Sequence, residues 1–497
     1  VQTRRRAGVG LHLSSLPGEY GIGELGHHAY RFIDTLASMG FGVWQFLPVG
    51  PVGYADSPYQ SPSTYAGNPL LIDLEALRDQ GFVKDDELSP FRGLPRERVD
   101  FPALLPLKLE LLARVGERFE MAASPAQRQA RDEFVAVHDP AWLHDHALFE
   151  ILRNRYRQRP WPEWDEPHAM RDPEALREVE RTARAELESL KSVQFLFFEQ
   201  WRKLREYANE QGVRLMGDLP IYVALDSADT WANPELFQLD ESRSPTCIAG
   251  VPPDYFSEDG QCWDNPLYDW ERHAADGYRW WIARVRHAIA LADLVRLDHF
   301  RGLESYWAIP AGAENARDGE WRPGPAGDLL DALRDALGDL PIIAEDLGII
   351  TPEVEALRDQ YGLAGMKVLQ FMVTQKKFDP ALIPENSVCY TGTHDNDTTV
   401  GWFQNGLEEA PQLQSNVLRH TQGSPETIHQ DLIRLAFSTA AGLAVIPMQD
   451  FLGLDSQARM NTPGTVTGNW SWRLKDGQVT PEVREWVQGA LSESARS

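Results

Sequence analysis

Short apolar runs recur along this chain, and helix-like stretches separate most of them. Eight runs read as strands: residues 7–13, 42–47, 213–217, 294–298, 342–345, 366–371, 388–393 and 443–448. Helical crossovers return the chain to the same end of a sheet, so the strands they join run parallel. Eight such units predict a closed (β/α)8 TIM barrel, a single catalytic α/β domain over residues 1–497.

The helices carry their own signals. Ala29, Phe32, Ile33, Leu36 and Met39 share one helical face, and Gly40 follows as a stop. Ile282, Val285, Ile289 and Ala292 mark a second amphipathic helix running straight into the strand at 294. Thr351, Pro352 and Glu353 read as N-cap, N1 proline and first-turn acid of a third.

The spacing breaks twice. Residues 53–212 open on a Pro-, Gly-, Ser- and Tyr-rich stretch and continue as charged, mostly helical sequence. They predict a subdomain inserted at the C-terminal rim of the strands. Residues 222–275 form a second insertion, whose stretch PPDYFSEDGQCWDNP reads as a loop able to cover a cleft.

Function in a parallel barrel gathers where strands end. Four strands end in an acid: Asp218 in GDLPIYV, Asp298 in VRLDHFRG, Glu345 in IIAEDLG and Asp395 in YTGTHDND. One such acid often just caps a helix or pairs with an arginine. Four converging on one face repel each other, a cost that implies a role. Cleavage of a glycosidic bond needs such a group. One carboxylate attacks the anomeric carbon and a protonated one serves the leaving oxygen, about 5–5.5 Å away in retaining enzymes. A third can stabilise the positive charge on the ring.

Arg296 and Asp298 are two apart on a strand and point the same way. The guanidinium favours an ionised, nucleophilic Asp298, although a purely structural ion pair has the same spacing. Glu345 follows Ile342, Ile343 and Ala344 with no cation within two residues, a setting that raises a carboxyl pKa and suits a general acid. His299 and His394 adjoin two of these acids, placed to bond sugar hydroxyls or to serve structure alone.

Composition narrows the partners. A formal net charge of −26 repels phosphate backbones and anionic membranes, so neither nucleic acid nor membrane is an expected partner. A neutral sugar is not repelled. Cys247, Cys262 and Cys389 form no CxxC pair, which argues against a zinc site or a disulfide framework and suits a reducing cytoplasm. No run reaches membrane-spanning length, and VQTRRRAG lacks a signal-peptide core. A cytoplasmic location is expected. His144 and His146, in an isolated HDH, read as a solvated helix edge rather than a metal site.

These motifs together resemble the 4-α-glucanotransferases called amylomaltase or disproportionating enzyme, of the α-amylase clan. The similarity runs from GLHLSSLPGEYGIGELG to ARMNTPGTVTGNWSWR. It includes WQFLPVGPVGYADSPYQSPSTYAGNPLLIDL, AGVPPDYFSEDGQCWDNPLYDW, AEDLGIITPEV and GTHDNDTTVGW. The resemblance implies transfer of α-1,4-glucan segments between maltodextrins by retaining double displacement. It makes Asp298 the nucleophile, Glu345 the acid/base and Asp395 the transition-state stabiliser. Asp218, Arg296, His299 and His394 would hold the sugar beside the cleaved bond. Tyr59 would stack on it with Ser57 close by, Gln261 and Trp263 would serve the acceptor side, Asn461 would touch substrate, and Tyr54 would lie on the glucan path. Residues 252–260 resemble the family's mobile lid. No metal or cofactor is implied, and a monomer or weak oligomer is expected.

Three rivals differ in what they need. An α-1,4-glucan hydrolase of the same clan would share the triad but use water. A non-catalytic maltodextrin-binding protein would not need the acids. A phosphate-handling barrel would need a GxxxxGK[ST] loop, which the sequence lacks.

Overall fold

The computed structural model describes residues 5–253 and 258–496. Twelve strands form in chain order: β1 (Arg6–Gly10), β2 (Val43–Gln45), β3 (Arg214–Leu219), β4 (Cys247–Val251), β5 (Gln261–Pro266), β6 (Leu294–Leu297), β7 (Ser305–Pro310), β8 (Glu320–Pro323), β9 (Ile342–Ala344), β10 (Ala364–Val368), β11 (Ser387–Tyr390) and β12 (Leu443–Pro447). Eight close into a parallel barrel in the order β1-β12-β11-β10-β9-β6-β3-β2. These are the eight runs read as strands. Seven stop one to three residues earlier than expected, the run at 388–393 among them at Tyr390. The run at 7–13 ends at Gly10, with the 3-10 turn Leu13–Ser15 beyond it, and the run at 366–371 ends at Val368 because Leu369–Met372 coils into a helical turn.

Alternation along each strand splits the core in two. Val43, Met216, Ile343, Met366, Val368, Val388, Tyr390, Leu443 and Val445 pack together inside the barrel. Their neighbours Trp44, Leu215, Val295, Leu297, Ile342, Ala344, Cys389, Ala444 and Ile446 join the larger cluster under the helices. Both faces are buried, so the strands read as unbroken apolar runs. Each large side chain so buried contributes about 1.5–3 kcal/mol. On β1 the inward positions are glycines. A Cβ on Gly8 would lie 3.0 Å from Val43 Cβ.

The helix His27–Met39 buries the five residues its pattern names, and Gly40 ends it at φ 93°. Phe32 meets Trp44 of β2 edge-on at 5.0 Å. The helix Arg279–Leu291 forms where expected but also buries Arg284. That guanidinium donates to the carbonyls of Pro220 at 2.5 Å and Ile221 at 2.8 Å, and to Thr64 Oγ1 at 2.9 Å. It therefore pins the segment leaving β3. Helix Pro352–Gln360 starts at Thr351 with proline at N1, though the threonine side chain caps no amide.

Between β2 and β3 lie the helices Phe101–Ala122, Pro125–His138, His144–Arg155 and Arg184–Glu210. The HDH motif opens the third of these and needs correction: His146 is 4% exposed, not solvated. It lies on the buried face of its helix, and burial pushes the imidazole down to about 4. His144 instead contacts Glu180 at 3.1 Å.

The second insertion also differs from its reading as loop. Residues 261–266 are β5, in an antiparallel sheet ordered β5-β4-β7-β8. Its polar QCWDNP sequence gives no apolar alternation because it is an end strand of that sheet. Strands β7 and β8, between β6 and β9, complete the sheet and are absent from the sequence reading. Residues 254–257 of the expected lid lie outside the described residues. Among the described residues, no helix is long and apolar enough to cross a membrane.

Candidate active site

Strand register brings the acids together. Asp218 on β3 pairs with Arg296 on β6, and Leu297 pairs with Ala344 of β9. Asp298 and Glu345 each stand one residue past that last pair. Glu345 N–H donates to Leu297 O at 3.1 Å, and Asp298 N–H to Leu219 O at 3.0 Å. Adjacent strands lie about 4.8 Å apart, so Asp298 and Glu345 leave neighbouring strands at one level, with Asp218 on the next strand level with Arg296, two residues before Asp298.

Arg296 sits between two of them. Its guanidinium donates to Asp218 Oδ2 and to Asp298 Oδ1, each at 2.6 Å. Burial disfavours the guanidinium charge, yet the flanking carboxylates keep Arg296 protonated. Asp218 is fully enclosed. Burial pushes its carboxyl up against the pull of Arg296. Tyr59 donates its hydroxyl to Asp218 Oδ2 at 2.9 Å, while Oδ1 is buried without a partner among the described residues.

Glu345 is 8% exposed. Burial raises its carboxyl to about 7, opposed by Arg296 and helped by the charge of Asp298. Two amides orient it: His299 N–H donates to Oε2 at 2.7 Å and Leu347 N–H to Oε1 at 2.8 Å. His299 reaches this position in the left-handed region, φ 51°, a conformation uncommon for a residue with a side chain. Burial lowers its imidazole to about 4, so it is neutral near pH 7. Its Nε2 is buried without a hydrogen-bond partner among the described residues. Trp263 stands edge-on to this ring at 4.9 Å.

Asp395 follows β11 and is more open. Asn461 Nδ2 donates to its Oδ1 at 2.6 Å, and His394 Nε2 lies 3.2 Å from the same oxygen. The Tyr59 ring stacks on His394 at 5.2 Å and 12°. Tyr59 thus links Asp218 on one side of the cleft to the Asp395 loop on the other. Gln261 accepts from Trp263 Nε1 at 3.2 Å, and Gln60 Nε2 ties Trp263 O to the Tyr59 turn at 3.1 Å.

Two sequence candidates stand apart. Ser57 spends its hydroxyl locally, accepting from Tyr59 N–H at 3.2 Å. Tyr54 is 73% exposed and projects from a turn in which Ala55 and Asp56 both have positive φ.

The structure adds residues the sequence reading omits. Trp470 tilts against both Tyr59 and His394, at 5.8 and 5.9 Å. Arg459 donates to Asp395 O at 2.7 Å. His12, beyond β1, is buried and pushed down to about 3 by burial and by His394. A strand-end position is the only sequence signal His12 carries. Trp470 and Arg459 lie far from any strand end, and their one signal is the block ARMNTPGTVTGNWSWR that contains both.

A family model described as 4-alpha-glucanotransferase matches residues 11–480. The 4-alpha-glucanotransferase of Synechocystis sp. is 46% identical over 98% of this chain and 97% of its own. That of Thermus thermophilus is 45% identical over 97% of both chains. The amylomaltase from Streptococcus agalactiae, solved in complex with acarbose, superposes with a TM-score of 0.95 at 35% identity, covering 99% of this chain and 100% of that one. A barrel that carries the acids at its strand ends, matched along almost its full length, belongs to the 4-alpha-glucanotransferase family of enzymes.

Proposed function

We propose that this 4-α-glucanotransferase moves α-1,4-glucan segments between maltodextrins by retaining double displacement, with Asp298, Glu345 and Asp395 as catalytic residues. The observation that carries the reading is the contrast across β6 and β9. Asp298 is paired with a buried guanidinium, whereas burial holds Glu345 near 7. One carboxylate is ready to attack and the other keeps a proton to give.

In the first half-reaction Glu345 donates its proton to the glycosidic oxygen as an Asp298 oxygen bonds to the anomeric carbon. The C–O bond breaks and the released chain leaves with a new 4-hydroxyl. In the second, the 4-hydroxyl of an acceptor gives its proton to Glu345 and displaces Asp298 from the same carbon. Two inversions retain the α configuration. One bond is broken and one made, and no water is consumed. Asp395, oriented by Asn461 and His394, grips the sugar hydroxyls and faces the positive charge of the transition state. Asp218 holds Arg296 and Tyr59 in place around the sugar beside the cleaved bond, and Tyr59 offers its ring to that sugar. Gln261 and Trp263 serve the acceptor, Ser57 and Tyr54 the approach, and the inserted segments 53–212 and 222–275 wall the cleft. The Streptococcus agalactiae amylomaltase complex with acarbose supports a carbohydrate in this cleft. Three free cysteines fit work in a reducing cytoplasm.

Incubation with maltotriose alone tests the reading. Glucose plus chains longer than maltotriose is the expected product set. Glucose and maltose without longer chains would mean that water wins, as in the hydrolase reading.

A further inference from the structure

The rim outside the cleft carries an aromatic plate that the reaction scheme does not use. Trp321 on β8 is 39% exposed. The Arg301 guanidinium lies over one face of its ring, 3.8 Å from the centroid. Trp307, its register partner on β7, meets it edge-on at 5.1 Å. Trp307 is itself fixed, because its Nε1 donates to Ala316 O at 2.9 Å. Gly319 leaves room for it: a Cβ there would sit 2.2 Å from Trp307 Nε1. Trp321 is therefore held from one face and one side while 39% of it stays exposed.

The plate stands on the loops of the active site. Arg301 belongs to the turn Phe300–Leu303, directly after Asp298 and His299. It donates to Ser305 Oγ at 3.0 Å and to the carbonyl of Ile349, in the segment leaving Glu345. Ile349 is itself 45% exposed. These contacts put the plate on the same rim of the barrel as Asp298 and Glu345.

We propose that Trp321 is an outlying binding site for a segment of the α-1,4-glucan several sugars from the reacting bond. This rests on the function proposed above. The apolar C–H face of a glucose ring fits a flat indole, and a ring already immobilised loses little side-chain entropy on binding. The cation beneath the ring is covered by it, and the net charge of −26 favours a neutral ligand over an anionic one. A polymer gains from such a contact because its second attachment is intramolecular. On this proposal a trisaccharide held at the cleavage point does not reach it.

The test compares W321A, W321F and wild-type full chain with maltotriose and with long-chain amylose. W321A should raise KM for amylose about three- to tenfold, the factor one stacking contact supplies, with maltotriose kinetics unchanged. W321F, which keeps a flat ring, should stay within about twofold of wild type on both. Unchanged amylose kinetics in W321A would overturn the proposal. So would equal losses on both substrates, which would mean the ring acts through Arg301 on the reacting centre. A W321A-specific change in sedimentation would make the plate an interface between copies instead. Failure of the underlying function is seen separately, in wild type that makes no longer chains from maltotriose.

Discussion

Asp298 and Glu345 stand on adjacent parallel strands, each one residue beyond the paired Leu297 and Ala344. The backbone that fixes this pairing is also the backbone that orients the acid, since His299 N–H next to Asp298 donates to Glu345 Oε2. The proposed nucleophile and acid/base are thus set by one register, and a slip there would move both.

Glu345 gives the enzyme a pH signature. Its carboxyl sits near 7 because of burial, and the first half-reaction needs it protonated. Transfer should fall on the alkaline side with an apparent pKa near that value, read from kcat/KM profiles. Glu345→Gln should lose about 100- to 10,000-fold in rate. Stability follows the same group. A carboxyl raised in the folded state favours folding in its protonated form, and that contribution is lost as pH rises through the folded pKa. The Tm of Glu345→Gln relative to wild type should therefore be higher at pH 8 than at pH 5. An equal difference at both would contradict the buried, proton-holding state.

Arg296 should be irreplaceable by lysine. It reaches Asp218 and Asp298 through two nitrogens of one planar group, which a single ammonium cannot copy. Arg296→Met should destabilise the fold by about 3–5 kcal/mol, because Asp218 is left buried and unpaired. Arg296→Lys should fold but lose most activity. Denaturant unfolding and initial rates measure the two effects separately.

Asp450 should act on catalysis through Asp395. Its carboxylate accepts from Thr391 Oγ1 at 2.6 Å, Thr399 N at 2.7 Å and Thr399 Oγ1 at 2.8 Å. It ties together both ends of the loop that presents His394 and Asp395. Asp450→Ala leaves the buried Thr399 N–H without its partner, at about 1–3 kcal/mol. It should lower kcat more than it raises KM. Asp450→Asn should recover much of kcat, because threonine hydroxyls can turn to accept from an amide. Equal rates for the alanine variant and wild type would remove Asp450 from this role.

Gly53 should tolerate no side chain. A Cβ there would lie 1.6 Å from Gln60 O, so Gly53→Ala must displace the turn that carries Tyr54, Ser57 and Tyr59. A loss of about 1–3 kcal/mol and a raised KM are expected from thermal unfolding and maltotriose kinetics. A variant with unchanged KM would show that the turn does not place Tyr59.

The barrel and its acids were legible in the sequence for one physical reason. Inward and outward positions on these strands are both apolar, so an acid at a strand end such as Asp298 or Glu345 interrupts the run. The same logic hid the second sheet. β5 is polar and sits at a sheet end, and β8 is only EWRP, so neither carries a periodic signal. Arg284 was invisible because its burial depends on carbonyls some sixty residues upstream in the chain. His146 was misread because an HDH motif looks alike on a wet or a dry helix face. The Tyr59–His394–Trp470 stack joins segments that only the closed barrel brings together.

Trapping the glycosyl-enzyme tests the central assignment most directly. Glu345→Gln should be given a maltosyl donor whose leaving group needs no acid, such as an α-fluoride. The first step then proceeds while the second, which needs the base, stalls. Peptide mass analysis should find the added sugar on the fragment containing Asp298. Sugar on a different carboxylate, or no adduct while fluoride is released at the wild-type rate, would contradict the account.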